Sequence, residues 1–149
     1  MTREQEHSVS HIVDFYNRYP GETVRYSTLV QIGSGSKPGT VIIQLPQKVT
    51  LSGFYCADPA LNGSCRVLDT PNGTQLSWFL PENLPSGSRL EIITEGIVQT
   101  TDFDQSLQSS AVLLSEESSE IDSDYVSIFV KLQGSYLNYL PEIYRQDDL

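Results

Sequence analysis

The chain has 149 residues, 38% of them hydrophobic, with eight Tyr, five Phe and one Trp; that suffices for one hydrophobic core and is too apolar for wholesale disorder. Nine basic against nineteen acidic residues give a net charge of −10, a surface that repels a phosphate backbone instead of releasing its counterions, so nucleic acid is not an expected partner. Residues 1–7 are polar and precede no apolar signal segment, and no apolar run is long enough to cross a bilayer as a helix, so synthesis and residence in the cytoplasm are expected.

Short apolar runs separated by Gly, Pro, Asn, Asp and Ser predict nine strands, over 8–16, 23–32, 39–44, 49–56, 65–69, 75–79, 89–98, 107–115 and 125–132. This spacing reads as an all-β sandwich. Residues 1–19 form an N-terminal extension or a first strand, 20–132 the sandwich, and 133–149 a linker with a terminal segment. His7 and His11 stand four apart and, with Glu4 or Asp14, offer metal-ligand chemistry, but a solvated segment outside the sandwich is the expectation for them. Val24, Tyr26, Thr28 and Val30 alternate and should line one face of a strand. The Gly- and Ser-rich stretch 32–39 is a connecting loop, not a phosphate cradle, because Pro38 and a strand follow Lys37. Val41, Ile42 and Ile43 read as buried on both sides.

Cys56 and Cys65, the two cysteines, are nine positions apart with Asp58-Pro59 and Asn62-Gly63 between them. They would meet across a hairpin, and a disulfide there would contribute about 2–3 kcal/mol, whereas a reducing cytoplasm would keep both as thiols. Two thiols far from either histidine do not make a metal site. Asn72-Gly73 is the strongest hairpin signal in the chain, and Trp78 falls in a strand where it can fill the core. Gly21 and Gly87 mark turns of positive φ. The sequons at Asn62 and Asn72 are read as turns.

The stretch 116–124, with Glu116, Glu117, Glu120, Asp122 and Asp124, reads as a solvated acidic loop without the glycine and ligand rhythm of a calcium site. Asp102 and Asp104, two apart in a polar connector, read as solvated carboxylates. With both histidines placed outside the sandwich, no base is available for a serine-type nucleophile. The chain is therefore expected to be no enzyme and to need no cofactor or metal.

Two resemblances sharpen this reading. Tyr136, Leu137, Tyr139, Leu140, Pro141, Ile143 and Tyr144, followed by Asp147 and Asp148, resemble the opening of proteins related to phage tail protein I and to baseplate subunits of contractile injection systems. The resemblance implies that these residues are an assembly interface leading into a helical region, and that the family continues beyond the position of Leu149. A broader match covers about residues 20–130. Gly21, Val24, Tyr26, Leu45-Pro46, the pair Cys56 and Cys65, and Leu84 through Gly87 are similar in order to immunoglobulin-like repeat domains of bacterial surface proteins. Gln31-Ile32 and the run Gln108 to Ala111 depart from that pattern, where asparagines are usual.

Together these imply an immunoglobulin-like β-sandwich with a short C-terminal tail-family segment. The function they imply is that of a structural component of the baseplate or tail of a phage tail-like contractile injection system. The sandwich would be a decoration or bridging module, and the C-terminal segment its anchor. The expected partners are other baseplate or tail subunits, with no nucleic acid and no direct membrane insertion. The expected place is a particle assembled in the cytoplasm and released or envelope-attached afterwards. The alternative that the sandwich resemblance favours is a bacterial surface adhesion or carbohydrate-binding module.

Overall fold

The computed structural model describes residues 6–56, 64–82 and 84–132. Ten strands follow one another: β1 Ser8–Val13, β2 Asn17–Arg18, β3 Thr23–Gln31, β4 Pro38–Gln44, β5 Val49–Cys56, β6 Cys65–Thr70, β7 Gly73–Phe79, β8 Arg89–Val98, β9 Gln105–Ser115 and β10 Glu120–Val130. They form a four-stranded sheet in the order β1-β3-β8-β5 and a six-stranded sheet in the order β2-β10-β9-β4-β7-β6. The all-β, two-sheet sandwich is the expected architecture. Among the described residues there is no helix long and apolar enough to cross a membrane. The proposed helical region of the tail-family segment lies outside the described residues.

Alternation builds the core. In β3, Val24, Tyr26, Thr28 and Val30 all point inward and are fully buried, as period-two patterning requires. Ile43 and Leu76 of the other sheet and Leu45, just after β4, share one buried core with them, with Trp78 at 1% exposure. Val41 and Ile43 are buried as expected, but Ile42 between them is only half-buried, because the outer face of β4 carries no second layer.

Several strand ends differ from the sequence reading by one or two residues and two differ by more, both where an aspartate carboxylate accepts from backbone amides. The first predicted strand ends at Val13. There the Asp14 amide donates to the Arg25 carbonyl while the Asp14 carboxylate accepts from the amides of Phe15 and Arg25. The chain thus leaves β3 and adds β2 parallel to the end of β10. The last strand begins at Glu120, so the acidic stretch is a loop only to Ser119. Asp122 and Asp124 sit in β10 and accept hydrogen bonds from the backbone amides of Val9 (2.9 Å) and His11 (2.8 Å). These carboxylates cap the outer edge of β1, where a sheet edge would otherwise leave its N–H groups unpaired.

The β6–β7 hairpin that Asn72-Gly73 predicts forms, with its turn one residue earlier than that pair. Thr70 pairs with Gly73, so Pro71 and Asn72 make the turn. The Thr70 hydroxyl accepts from the Asn72 amide and donates to the Gly73 carbonyl. Gly73 has φ +120°, and a Cβ there would lie 2.1 Å from the Leu45 carbonyl oxygen. Gly21 and Gly87 have the positive φ values the sequence predicts. Gly73→Ala is expected to cost more than about 2 kcal/mol, as backbone strain and a clash with the chain just after β4 add; urea denaturation of the variant measures it.

Candidate functional site

The predicted assembly residues Tyr136, Leu137, Tyr139, Leu140, Pro141, Ile143 and Tyr144 lie outside the described residues. Cys56 ends β5 in one sheet and Cys65 begins β6 in the other, so the two do not face each other across a hairpin. Both stand as thiols. Burial pushes the Cys65 thiol up to about 11, which keeps it protonated and a poor nucleophile at neutral pH.

The expectation of solvated histidines is corrected by the structure. Val9, His11 and Val13 occupy the inward positions of β1, and His11 is 1% exposed. Its Nδ1 lies 2.8 Å from Thr28 Oγ1 on β3 and its Nε2 lies 2.8 Å from Ser109 Oγ on β9. The Ser109 hydroxyl donates its one hydrogen to the Gln44 carbonyl at 3.0 Å. Ser109 must therefore accept from His11 Nε2–H, and His11 Nδ1 accepts from the Thr28 hydroxyl. The imidazole lies flat against Tyr26, centroids 5.2 Å apart at an interplanar angle of 6°. Burial lowers the His11 pKa to about 4, with the nearby Asp124 charge opposing. This neutral histidine ties the two sheets together and is closed to any substrate. His7 is also buried, and its Nδ1 accepts from the Gly33 amide at 2.9 Å.

Among the described residues no group of three or more His, Cys, Asp and Glu is placed to hold a metal ion. The loop after β3 lines a depression of about 220 Å³ with His7, Ile32, Lys37, Glu82 and Leu84, but the Lys37 ammonium is paired to Glu116 at 3.6 Å. Asp104 accepts from the Leu132 amide at 2.9 Å, so this carboxylate ends β10 and is not merely solvated.

What distinguishes the surface is the contrast between its two sheet faces. On the four-stranded sheet, Arg25 pairs with Glu95 at 3.5 Å and rests on Tyr55, and Ser27 donates to Glu91 at 2.7 Å. The six-stranded face differs. Register places Ser123, Val112, Ile42, Ser77 and Arg66 in one row across five strands. Tyr125, Ser110, Gln44, Gln75 and Leu68 form a second row. Beside these rows lie Phe79, which Arg66 covers with its guanidinium 5.7 Å from the ring centroid, and Phe129. Neither row holds a carboxylate, although the chain has nineteen. Asp69, Asp122 and Asp124 occupy the opposite parity of their strands, which turns them away from this face. The two rows join Tyr125, Val112, Ile42 and Leu68 with Ser and Gln and carry Arg66 as their one charge, while Glu120, opposite Leu114, stands on the next row; a surface so poor in charge resembles the central part of a protein interface in that respect. The alternation in residues 105–115 could have indicated it, but which strands lie side by side could not be read from the sequence.

No family model matches the chain, and no curated protein matches it. Its likeness is to solved structures, at sequence identities that show the fold alone. CaCohA2 from Clostridium acetobutylicum is 15% identical with a TM-score of 0.56, over 87% of this chain and 93% of that one. The same protein in complex with a variant of CaDoc0917 gives 14% and 0.55, over 85% and 99%. BcpA, the major pilin subunit of Bacillus cereus, gives 9% and 0.59, over 85% of this chain and 40% of that one.

Proposed function

We propose that the chain is a non-catalytic, structural β-sandwich module that docks onto a neighbouring protein subunit through the outer face of its six-stranded sheet. The observation that carries this reading is the absence of carboxylates from both register rows of that face in a chain of net charge −10. Placing acids elsewhere avoids desolvating unpaired charge on binding, the largest electrostatic cost an interface can meet. The likeness to a protein seen in complex with a CaDoc0917 variant and to a pilin subunit supports a role in protein–protein contact.

The narrower reading is a baseplate or tail component of a phage tail-like contractile injection system, assembled in the cytoplasm. In it the sandwich bridges subunits and Tyr136, Leu137, Tyr139, Leu140, Pro141, Ile143 and Tyr144 anchor it; buried aromatic anchors commonly dominate interface energy. It rests on that sequence motif. A surface adhesion module is the second reading, which the likeness to a major pilin subunit favours.

An N-terminally tagged chain in its source cells, with large particles separated on a density gradient and imaged by electron microscopy, tests the two. Tagged sheathed tubes are expected, and deletion of 134–149 is expected to leave a folded protein that no longer enters them. Recovery in the envelope alone would favour the adhesion reading, and unchanged incorporation of the deletion would remove the anchor.

A further inference from the structure

We propose that β6 accepts residues 135–140 of a second copy of this chain as a seventh strand of its six-stranded sheet. This rests on the reading of the segment after Gly134 as an assembly segment, and it assigns that segment a place to dock.

The acceptor is an open edge. β6 pairs with β7 on one side, and among the described residues no strand pairs with its other side. The Phe79 amide donates to the Ser64 carbonyl at 3.0 Å, which makes Ser64 and Phe79 a hydrogen-bonded pair. By antiparallel alternation Arg66, Leu68 and Thr70 then also bond to β7, and the N–H and C=O groups of Cys65, Val67 and Asp69 point outward. Sheet edges are ordinarily blunted by charged side chains, proline, a bulge or an inward-pointing charge; β6 carries Arg66 and, at an inward position, Asp69, but it has no lysine, proline or bulge. β6 reads Cys-Arg-Val-Leu-Asp-Thr, pairs in unbroken register and leaves Val67 42% and Leu68 54% exposed. β5, the open edge of the other sheet, has a register shift between Leu51 and Gly53.

The donor matches in length and chemistry. Ser135-Tyr-Leu-Asn-Tyr-Leu140 is six residues without charge, as long as β6, and Pro141, which has no N–H to donate, stops further pairing. In either alternation one face receives Tyr136 and Leu140 and the other Leu137 and Tyr139, so Val67 and Leu68, on opposite faces of β6, each gain an apolar neighbour. A neutral strand also extends the two carboxylate-free rows without breaking them.

Distance makes the donor a second copy. From β10 to the vacant side of β6 is five strand spacings, about 24 Å. From Leu132 to Ser135 the chain advances at most about 10 Å. Its own β6 edge is therefore beyond reach, while that of another copy is not. Each copy then donates at one edge and accepts at the other, a head-to-tail contact that propagates into a ring or an open chain.

The test uses two variants with complementary defects. Val67→Pro removes an N–H that points away from β7, so the fold keeps its own hydrogen bonds while the acceptor edge is blocked; deletion of 134–149 removes the donor. By sedimentation velocity the full chain is expected to form concentration-dependent oligomers and each variant to stay monomeric. Mixing the two should give a 1:1 dimer and nothing larger. A full chain that stays monomeric, oligomers that survive Val67→Pro, or no dimer in the mixture would overturn the proposal. Should Val67→Pro fail to fold, a synthetic peptide of residues 135–140 added to the deletion variant decides. Hydrogen exchange is expected to slow about tenfold or more at the amides of Val67 and Asp69, with those of Arg66 and Leu68 unchanged; no change at Val67 and Asp69 would overturn it. Incorporation into particles without self-association would leave the proposed function standing and remove this inference alone.

Discussion

Acidification from neutral to about pH 4 is expected to destabilise the sandwich by about 3 kcal/mol through His11 alone. The folded-state pKa is lowered from 6.5 to about 4, mainly because the imidazole is buried between Thr28 and Ser109. The unfolded chain therefore binds a proton that the folded chain refuses over that interval. The sign follows: stability is full above pH 6.5 and is lost progressively as pH falls toward 4, at about 1.36 kcal/mol for each pKa unit. Urea denaturation at pH 7 and pH 4.5 measures the slope. His11→Phe keeps the stacking against Tyr26 but leaves the Thr28 hydroxyl without its acceptor, which costs about 1–3 kcal/mol at neutral pH. In that variant the pH slope of the wild type should flatten. An equal slope in both proteins would show that His11 is not the group responsible.

Trp78→Ala is expected to lose about 4 kcal/mol, near the whole stability of a marginal domain. Trp78 is 1% exposed and stands opposite Val41 on β4 and Cys65 on β6. It also meets Phe54 of the other sheet edge to face, with centroids 5.7 Å apart. Its removal empties the contact between the two sheets beside the open-edged strands β5 and β6. Trp78→Phe retains most of the buried ring and removes an indole N–H that has no partner among the described residues, so it should cost less than about 1.5 kcal/mol. Far-UV circular dichroism during denaturation reads both. An alanine variant within about 1 kcal/mol of the wild type would mean that Trp78 does not hold the sheets together.

The sandwich was legible where one strand carries its own signal. Val24, Tyr26, Thr28 and Val30 announce a buried face by alternation, and Asn72-Gly73 announces a hairpin by turn chemistry. Failures came where a residue's role depends on a partner far along the chain. Asp122 and Asp124 read as loop because they belong to an acidic run; the amides that satisfy them belong to Val9 and His11, 113 residues earlier. His11 reads as solvated because it is near the N-terminus, although Val9, His11 and Val13 share one alternating face that would have placed it inward. Cys56 and Cys65 suggest a hairpin by spacing, but their strands belong to different sheets. The neutral face depends on strand order, which sequence pattern does not specify. Its residues are ordinary in isolation and become a surface only when β10, β9, β4, β7 and β6 are laid side by side.

The most direct test of the docking role places charge on that face. Ile42→Glu, Ser77→Glu and Gln75→Glu, combined, put carboxylates at half-buried positions on β4 and β7, with Arg89→Glu at an exposed position of the opposite sheet as a control for added negative charge. Incorporation of the tagged proteins into large particles, measured by density gradient alongside circular dichroism of the purified chains, is the readout. The triple variant is expected to remain folded and leave the particle fraction while the control stays in it. A folded triple variant that enters particles as well as the wild type would contradict the assignment of the six-stranded face as the docking surface.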